Sequence, residues 1–560
     1  MEKHLPTAAI RIRWAHDPES LAPLALQNQA AMDANNLMHL SLLQLNSQSL
    51  AIEPALAAQL PAVSRRGDSL TAFRYTIRPN ATWDDGRPVF AADVACTLKL
   101  MNCPGVPNEI ARSTFGQIHQ IELSPASPRE FTLICQGQAQ ERLFLSGDFF
   151  VLPEAALDPQ HRLRGYSLPT LQHWPSTRLP DAALVAAARQ YRAADLANHP
   201  EHAPGCGPYR LIRWEKDRYL SFRAKPRWWG RAVAGLPLAL QPRAAQLDYL
   251  VIPNASAAVL ALRRGDLDVF PQMPAADFNR LRTSPAADVR LYASDSYDVA
   301  LAGFNTRRPA LADALTRQAL SRLFDTAGLL RGTQYGRGLR TAGLVPPFDR
   351  ANYNDSLRPV PFDPPGARAL LRQAGWLPRG PSLAGWRRPG PRGEQELRLT
   401  VRYRSGDELF AMAALQFRAA AAGLGIVVEL RPTESALFTE ALADGDFDVF
   451  MRTLHGSSFG INLASLLHSG STRKTNSTRF GNPACDRLMD AVATTANSPR
   501  RVRQLRQLQA LLQQQAPLVP FFFLANRVAA RRDCQGLYVS RLKPGFVAST
   551  IERTAAAAPR

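Results

Sequence analysis

Two adjacent acids, Asp84 and Asp85, stand in TWDDGRPVFAADVA (82–95), and Asp93 follows eight residues after Asp85. A carboxylate pair can share a proton in acid–base work or hold a hard cation. Calcium loops space many oxygen donors at regular offsets, which this stretch does not do. Consecutive residues of an extended segment also point apart. The segment therefore reads as a turn at Gly86 with local Asx-type bonds, leading into a helix that starts near Ala91. Asp93 falls in the first turn of that helix, where negative charge complements the free amides. A second polar cluster, LHGSSFG (454–460), sets His455 beside Ser457 and Ser458. No activating triad can be assembled around it, so it reads as a ligand-facing or hinge-proximal loop.

Dinucleotide, P-loop, HExxH and nucleophile-elbow patterns are absent from the chain. Six cysteines, at 96, 103, 135, 206, 485 and 534, form no CxxC pair and no local thiol–imidazole cluster. They read as structural or unpaired. The expectation is a binding protein with no catalytic residues, no metal site and no cofactor. Two further clusters are candidate ligand contacts. Tyr209, Trp214, Tyr219, Trp228 and Trp229 crowd one short region, where rings either bury a strand face or wall a cleft. In VALAGFNTRRP a strand ends in a polar turn, so Asn305, Thr306 and Arg307 can present hydrogen bonds at its end.

These residues sit in a chain of 560, enough for about two to four domains. The net charge of +20 comes from 67 Lys and Arg against 47 Asp and Glu. The arginines are scattered and no zinc-finger spacing accompanies them, which argues against a nucleic-acid partner. The opening MEKHLPTAAIRIRW lacks the apolar region of a secretory signal peptide, and no apolar run reaches membrane-spanning length.

IRIRW (10–14) alternates as a strand, and LALQNQAAMDANNLMHLSLLQL (24–45) has helical spacing throughout. AFRYTIRP reads as a strand, and YRLIRW with RYLSFRA as a β-hairpin. RRGDLDVF and ADGDFDVF repeat one unit: an apolar helix, a glycine stop and a short buried strand. Two copies in separate regions suggest two α/β lobes. FDPPGARALLRQAGW has an Asp363 cap, Pro364 at the first helical position and Gly375 as stop. LRLTVRYRSGDELFAMAALQFRAAAAGLGIVVEL has βαβ grammar, most economically a parallel sheet. CDRLMDAVATT and RVRQLRQLQALLQQQAP supply further amphipathic helices.

The chain resembles the extracellular solute-binding proteins of family 5, the dipeptide/oligopeptide-binding components of ABC transporters. FRYTIRPNATWDDGRPVFAADVACTLK, GCGPYRLIRW, KPRWWG, RRGDLDVF, GFNTRRPALADALTRQALSRLFD, FDPPGARALLRQAGW and NSTRFGNPACDRLMDA match its segments in family order, over roughly residues 8–540. Cys206 stands where the family has threonine. The resemblance implies an α/β fold of the type II periplasmic-binding-protein kind, with two lobes and a hinge. It further implies three domains: a discontinuous domain I (1–47, 180–290 and 510–560), domain II (48–179) and domain III (291–509).

Its implied work is delivery of a peptide or peptide-like solute, as a monomer, to an ABC permease from the periplasm or the cell exterior. The expected ligand contacts are Tyr209, Trp214, Asn305, Thr306, Arg307, His455, Ser457 and Ser458. Peptide-binding relatives place an aspartate shortly after the D-x-D strand, to pair with the peptide's α-amine. Residues 451–471 here contain no acid. Two alternatives stay open: a sugar, metal chelate or opine as ligand, and a cytosolic sensor or regulator on the same fold, since no signal peptide stands at the start.

Overall fold

The structure, a computed structural model, describes residues 9–554 except 26–27, 68, 138–139, 176, 381–384, 391–392, 460, 473–474 and 496–497. The first eight residues of the opening segment and Gly460 of the LHGSSFG loop thus lie outside it. The chain divides into two compact units, Met1–Ser294 with Asn526–Arg560, and Asp295–Ala525. The resemblance implied breaks at 290/291 and 509/510. The later second break keeps the helix Ser498–Gln515 whole inside the second unit.

The first unit begins with β1 (Ile10–Trp14) and α1 (Gln29–Met38). Among the described residues of 24–45, which leave out 26–27, the helical pattern is realised over α1, which Asn28 caps through its side chain, and Leu43–Leu45 forms a strand instead. The stop is tertiary: the Met38 carbonyl accepts the Gly207 amide at 2.8 Å. A Cβ on Gly205 would lie 2.2 Å from that same oxygen, so only glycine admits the approach. Next comes an antiparallel four-stranded sheet in the order Ala62–Arg66, Leu70–Thr76, Glu130–Gln136, Ile118–Leu123. It packs with α2 (Ala91–Leu100) over a core that includes Phe73, Tyr75, Val94, Leu98 and Phe131.

β2 (Tyr209–Glu215) and β3 (Tyr219–Ala224) form the expected hairpin, followed by β4 (Gln246–Val251). Then α3 (Ala255–Arg264) stops at Gly265, whose φ is +83°, before β5 (Val269–Phe270). β6 (Val289–Phe304) carries the chain into the second unit between Ser294 and Asp295.

In the second unit, α4 (Pro364–Gln373) has its Asp363 cap, and Trp376 is wholly buried with its indole donating to Thr316 Oγ1. β7 (Arg398–Arg404), α5 (Glu408–Ala422) and β8 (Val427–Thr433) make the expected parallel βαβ unit. α6 (Ser435–Asp444) ends at Gly445, φ +77°, and β9 (Val449–Leu454) follows. α7 (Pro483–Thr494) and α8 (Ser498–Gln515) precede β10 (Leu518–Arg531), which returns the chain to the first unit between Ala525 and Asn526. The sheet of the second unit runs β8-β7-β9-β6, with apolar cores on its two faces around Phe410 and Phe417 and around Phe438 and Phe447. In the first unit the order is β10-β5-β1-β4-β3-β2.

Candidate functional site

Chain register decides which polar residues of the second unit meet. β6 and β9 are antiparallel, with Val299 opposite Leu454 and Phe304 opposite Val449. Whatever follows β9 therefore returns to the part of β6 just inside the unit, beside the passage at Asp295. There His455 Nδ1 lies 3.0 Å from Asp298 Oδ1. The loop is pressed onto β6: a Cβ on Gly456 would stand 2.6 Å from the Tyr297 carbonyl oxygen. The Ser458 hydroxyl is buried with no hydrogen-bond partner among the described residues. Exposed Ser457 accepts the Phe459 amide at 3.3 Å. Tyr297 meets Phe348 edge to face, with ring centroids 5.1 Å apart. His455, Ser457 and Ser458 are thus brought together on one short loop.

Asn305, Thr306 and Arg307 are not part of that group. From Asp298 to Asn305 is seven residues of strand, roughly 24 Å. Asn305 is buried, and its Nδ2 donates to the carbonyls of Gly445 and Phe447 at 3.1 and 3.3 Å. Thr306 donates from its amide and its hydroxyl to the Thr478 carbonyl. Asn305 ties the end of β6 to the turn before β9, and Thr306 ties it to the segment before α7. Arg307 lines a separate recess of about 360 Å³ with Arg479, Ser469 and Ser471.

Tyr209 and Trp214 sit on β2, five strand spacings or roughly 24 Å from β10 across the sheet of the first unit. Tyr209 is wholly buried and donates its hydroxyl to the Ala244 carbonyl at 3.0 Å. It packs the sheet and presents no surface. The Trp214 indole donates to Asp17 Oδ2 at 3.0 Å, and the Lys216 ammonium stands 5.3 Å from its ring centre. Trp228 and Trp229 are buried and both donate to the Cys206 carbonyl. Cys206, like the other five cysteines, is free and buried.

The acids of the opening motif are structural. Asp84 Oδ1 pairs with Lys225 Nζ at 2.5 Å. Asp85 accepts the Arg87 amide at 3.0 Å in an Asx turn and also pairs with the Arg87 guanidinium. Asp93 accepts the amides of Phe90 and Glu154 at 2.8 and 2.9 Å.

The first unit holds a cavity that the sequence did not announce. The two residues flanking the unit boundary, Ser294 and Asn526, both donate from their side chains to the Ser540 carbonyl, at 2.7 and 2.9 Å. The segment that follows Ser540 walls a cavity of about 270 Å³ together with α1. Asp33, His39 and Asp148 line it. Asp33 accepts Gln29 Nε2 at 2.7 Å, and burial pushes its carboxyl up to about 7. Half-buried Asp148 has no partner among the described residues, and desolvation pushes it up to about 8. His39 is 2% exposed with Nδ1 unpartnered among the described residues, and burial followed by the Lys225 charge lowers it to about 3. One signal was available. In QAAMDANNLM, Asp33 shares the buried helical face of Ala30, Ala34 and Leu37, where an unpaired acid is costly.

The model of the bacterial extracellular solute-binding proteins, family 5 (middle), matches residues 51–474. Protein XP55 of Streptomyces lividans is 25% identical over 517 residues, covering 90% of this chain and 81% of that protein. The dipeptide-binding protein of Escherichia coli K12 is 23% identical over 341 residues, covering 60% of this chain and 59% of that one. Among solved structures, the oligopeptide-binding protein AppA of Bacillus subtilis, in complex with a nonapeptide, superposes with a TM-score of 0.74 at 17% identity. That match covers 98% of this chain and 99% of AppA. The fold is the mixed α/β fold of type II periplasmic binding proteins.

Proposed function

The chain belongs to the bacterial extracellular solute-binding proteins of family 5, and we propose that it captures a peptide or peptide-like solute and delivers it to an ABC import permease. The observation that carries this reading is the family match itself, continuous over 51–474 and running through both units. The peptide class draws support from the relatives named for peptides. The protein works without catalysis, as a monomer in the periplasm or outside the cell. No helix among the described residues is long and apolar enough to cross a membrane.

The two passages of chain between the units, at Ser294–Asp295 and Ala525–Asn526, serve as the hinge for closure on ligand. His455, Ser457 and Ser458 are the ligand contacts of the second unit, since their loop lies at the passage end of β6 and Ser458 has hydrogen-bonding capacity to spare. Arg307 and Trp214 keep some polar or aromatic surface, while Tyr209, Asn305 and Thr306 act by holding the scaffold. The three-domain layout draws support from the separate four-stranded sheet within residues 62–136, which forms the core of domain II.

Native mass spectrometry of the protein purified gently from its source cells tests the reading. Co-purified masses of short peptides are expected. Repeated recovery of a sugar or a metal chelate with no peptide overturns the peptide class.

A further inference from the structure

We propose that the cavity of the first unit lined by Asp33, His39 and Asp148 receives the primary ammonium group of the ligand. This rests on the peptide-capture reading and gives the cationic end of the solute a place within that unit.

Among the described residues no cation contacts the acids of this cavity, although Lys543 stands on its wall. Asp148 has neither a hydrogen-bond partner nor a cation in contact among the described residues. Asp33 has one amide contact, from Gln29, and a hydrogen bond from the Trp14 indole. Neither acid has an arginine or lysine against it among the described residues. A chain with 67 basic residues has many ways to neutralise an acid, and other acids use them. Asp84 takes Lys225 and Asp85 takes Arg87. A carboxyl that lines a cavity without a cation against it is a ready counter-charge for a cationic ligand group.

The third group is independent of the acids. His39 is 2% exposed, lines the same cavity and leaves Nδ1 unpartnered among the described residues. A neutral imidazole can accept a hydrogen bond there. Burial and the nearby Lys225 charge keep it neutral. Two carboxyls and a neutral nitrogen are three acceptors, and an ammonium brings three donors. Tyr249, Ser41, Ser47 and Ser540 also line the cavity, and among the described residues Lys543 is the one lysine or arginine on the wall. Lys543 already has an interaction of its own.

A divalent metal fits less well. Among the described residues these three side chains do not converge within a common ligating distance. A volume of about 270 Å³ accommodates an amine with its first carbons. The cavity wall is also bonded to both boundary residues through the Ser540 carbonyl, so occupancy can bias the hinge. The absence of any acid from residues 451–471 then has a physical counterpart: the counter-charge is supplied from α1 and Asp148.

The test is equilibrium dialysis of the full chain against a randomised tetrapeptide pool with free α-amines, and against the same pool N-acetylated, with bound peptide read by mass spectrometry. Retention of the free-amine pool at least about ten-fold above the acetylated pool is expected. The preference should fall towards one in Asp148→Asn, and by several-fold in Asp33→Asn. Circular dichroism and melting confirm that each variant is folded. If the acetylated pool is retained equally, or if both folded variants keep the wild-type preference, the assignment is overturned and peptide capture stands. Retention of neither pool overturns peptide capture and the assignment with it.

Discussion

Lys225 Nζ stands 2.5 Å from Asp84 Oδ1, tying the acid-rich turn of residues 82–87 to the segment that follows Gly205 and Gly207. The Asp84 amide also donates to the Gly205 carbonyl at 3.0 Å. Lys225 has only 11% of its side chain exposed, against 35% for Asp84. Losing the acid therefore strands a buried ammonium. Asp84→Asn is expected to cost about 2 kcal/mol, between an exposed pair and a fully buried one. Asp85→Asn, beside exposed Arg87, should stay within about 0.5 kcal/mol. Urea unfolding of the two variants checks the contrast, and ligand affinity should be nearly unchanged in both.

Glycine supplies a second contrast. Gly86 has φ +85° and open space where a Cβ would stand, whereas a Cβ on Gly205 would lie 2.2 Å from the Met38 carbonyl oxygen. Gly86→Ala is expected to cost about 1 kcal/mol through backbone strain alone. Gly205→Ala must push apart two backbones and should cost more than about 3 kcal/mol or abolish folding. Thermal melting and soluble yield separate the two.

These residues also show where the sequence was legible. Asp363, Pro364 and Gly375 act through neighbours in the chain, so the helix they bound was readable from local rules. So were the glycine stops at 265 and 445 and the parallel βαβ unit of 398–433. The end of α1 was not, because the Gly207 amide that takes the Met38 carbonyl comes from 169 positions away. Which candidate contacts lie near one another was hidden for the same reason. Asn305 and His455 look equally like strand-end polar residues, and only the antiparallel register of β6 and β9 sends them to opposite ends. For Trp214 the sequence left strand burial and a cleft wall both open, and only the sheet order shows that β2 lies at the edge farthest from β10. Asp148 sits in SGDFF, where no periodicity marks it as an unpaired acid.

The cavity acids and His39 make stability depend on pH in two opposed ways. The Asp148 carboxyl is raised from 3.8 to about 8. Between those values the folded chain keeps a proton that the unfolded chain has released, so this contribution is fully present below pH 4 and is lost as pH rises through 8. His39 is lowered from 6.5 to about 3. The unfolded chain binds a proton that the folded chain refuses, so its contribution is lost as pH falls from 6.5 towards 3. Asp148→Asn should melt above the wild type at pH 7.5, with the gap closing by pH 4. His39→Gln should narrow the loss of stability between pH 6.5 and 4. Melting curves across that range decide both, and a lower melting temperature for Asp148→Asn at pH 7.5 would show a structural role for the acid.

Ser458 and Asn305 give opposite expectations on one strand pair. Asn305 Nδ2 donates to two carbonyls of the Gly445–Phe447 turn, and Arg308 donates to both as well, so Asn305→Ala loses two buried hydrogen bonds without orphaning their acceptors and should cost about 1 kcal/mol. Its ligand affinity should be retained once the protein is folded. Ser458 Oγ is buried and bonds to nothing among the described residues. Ser458→Ala should therefore stay within about 0.5 kcal/mol of the wild type in stability. If its hydroxyl awaits the ligand, affinity for the co-purified solute falls about five- to ten-fold, a loss near 1 kcal/mol. Urea unfolding gives the first quantity and calorimetric titration the second. Unchanged affinity in Ser458→Ala, together with weakened binding in a folded Asn305→Ala, would move the contact surface to the opposite end of β6.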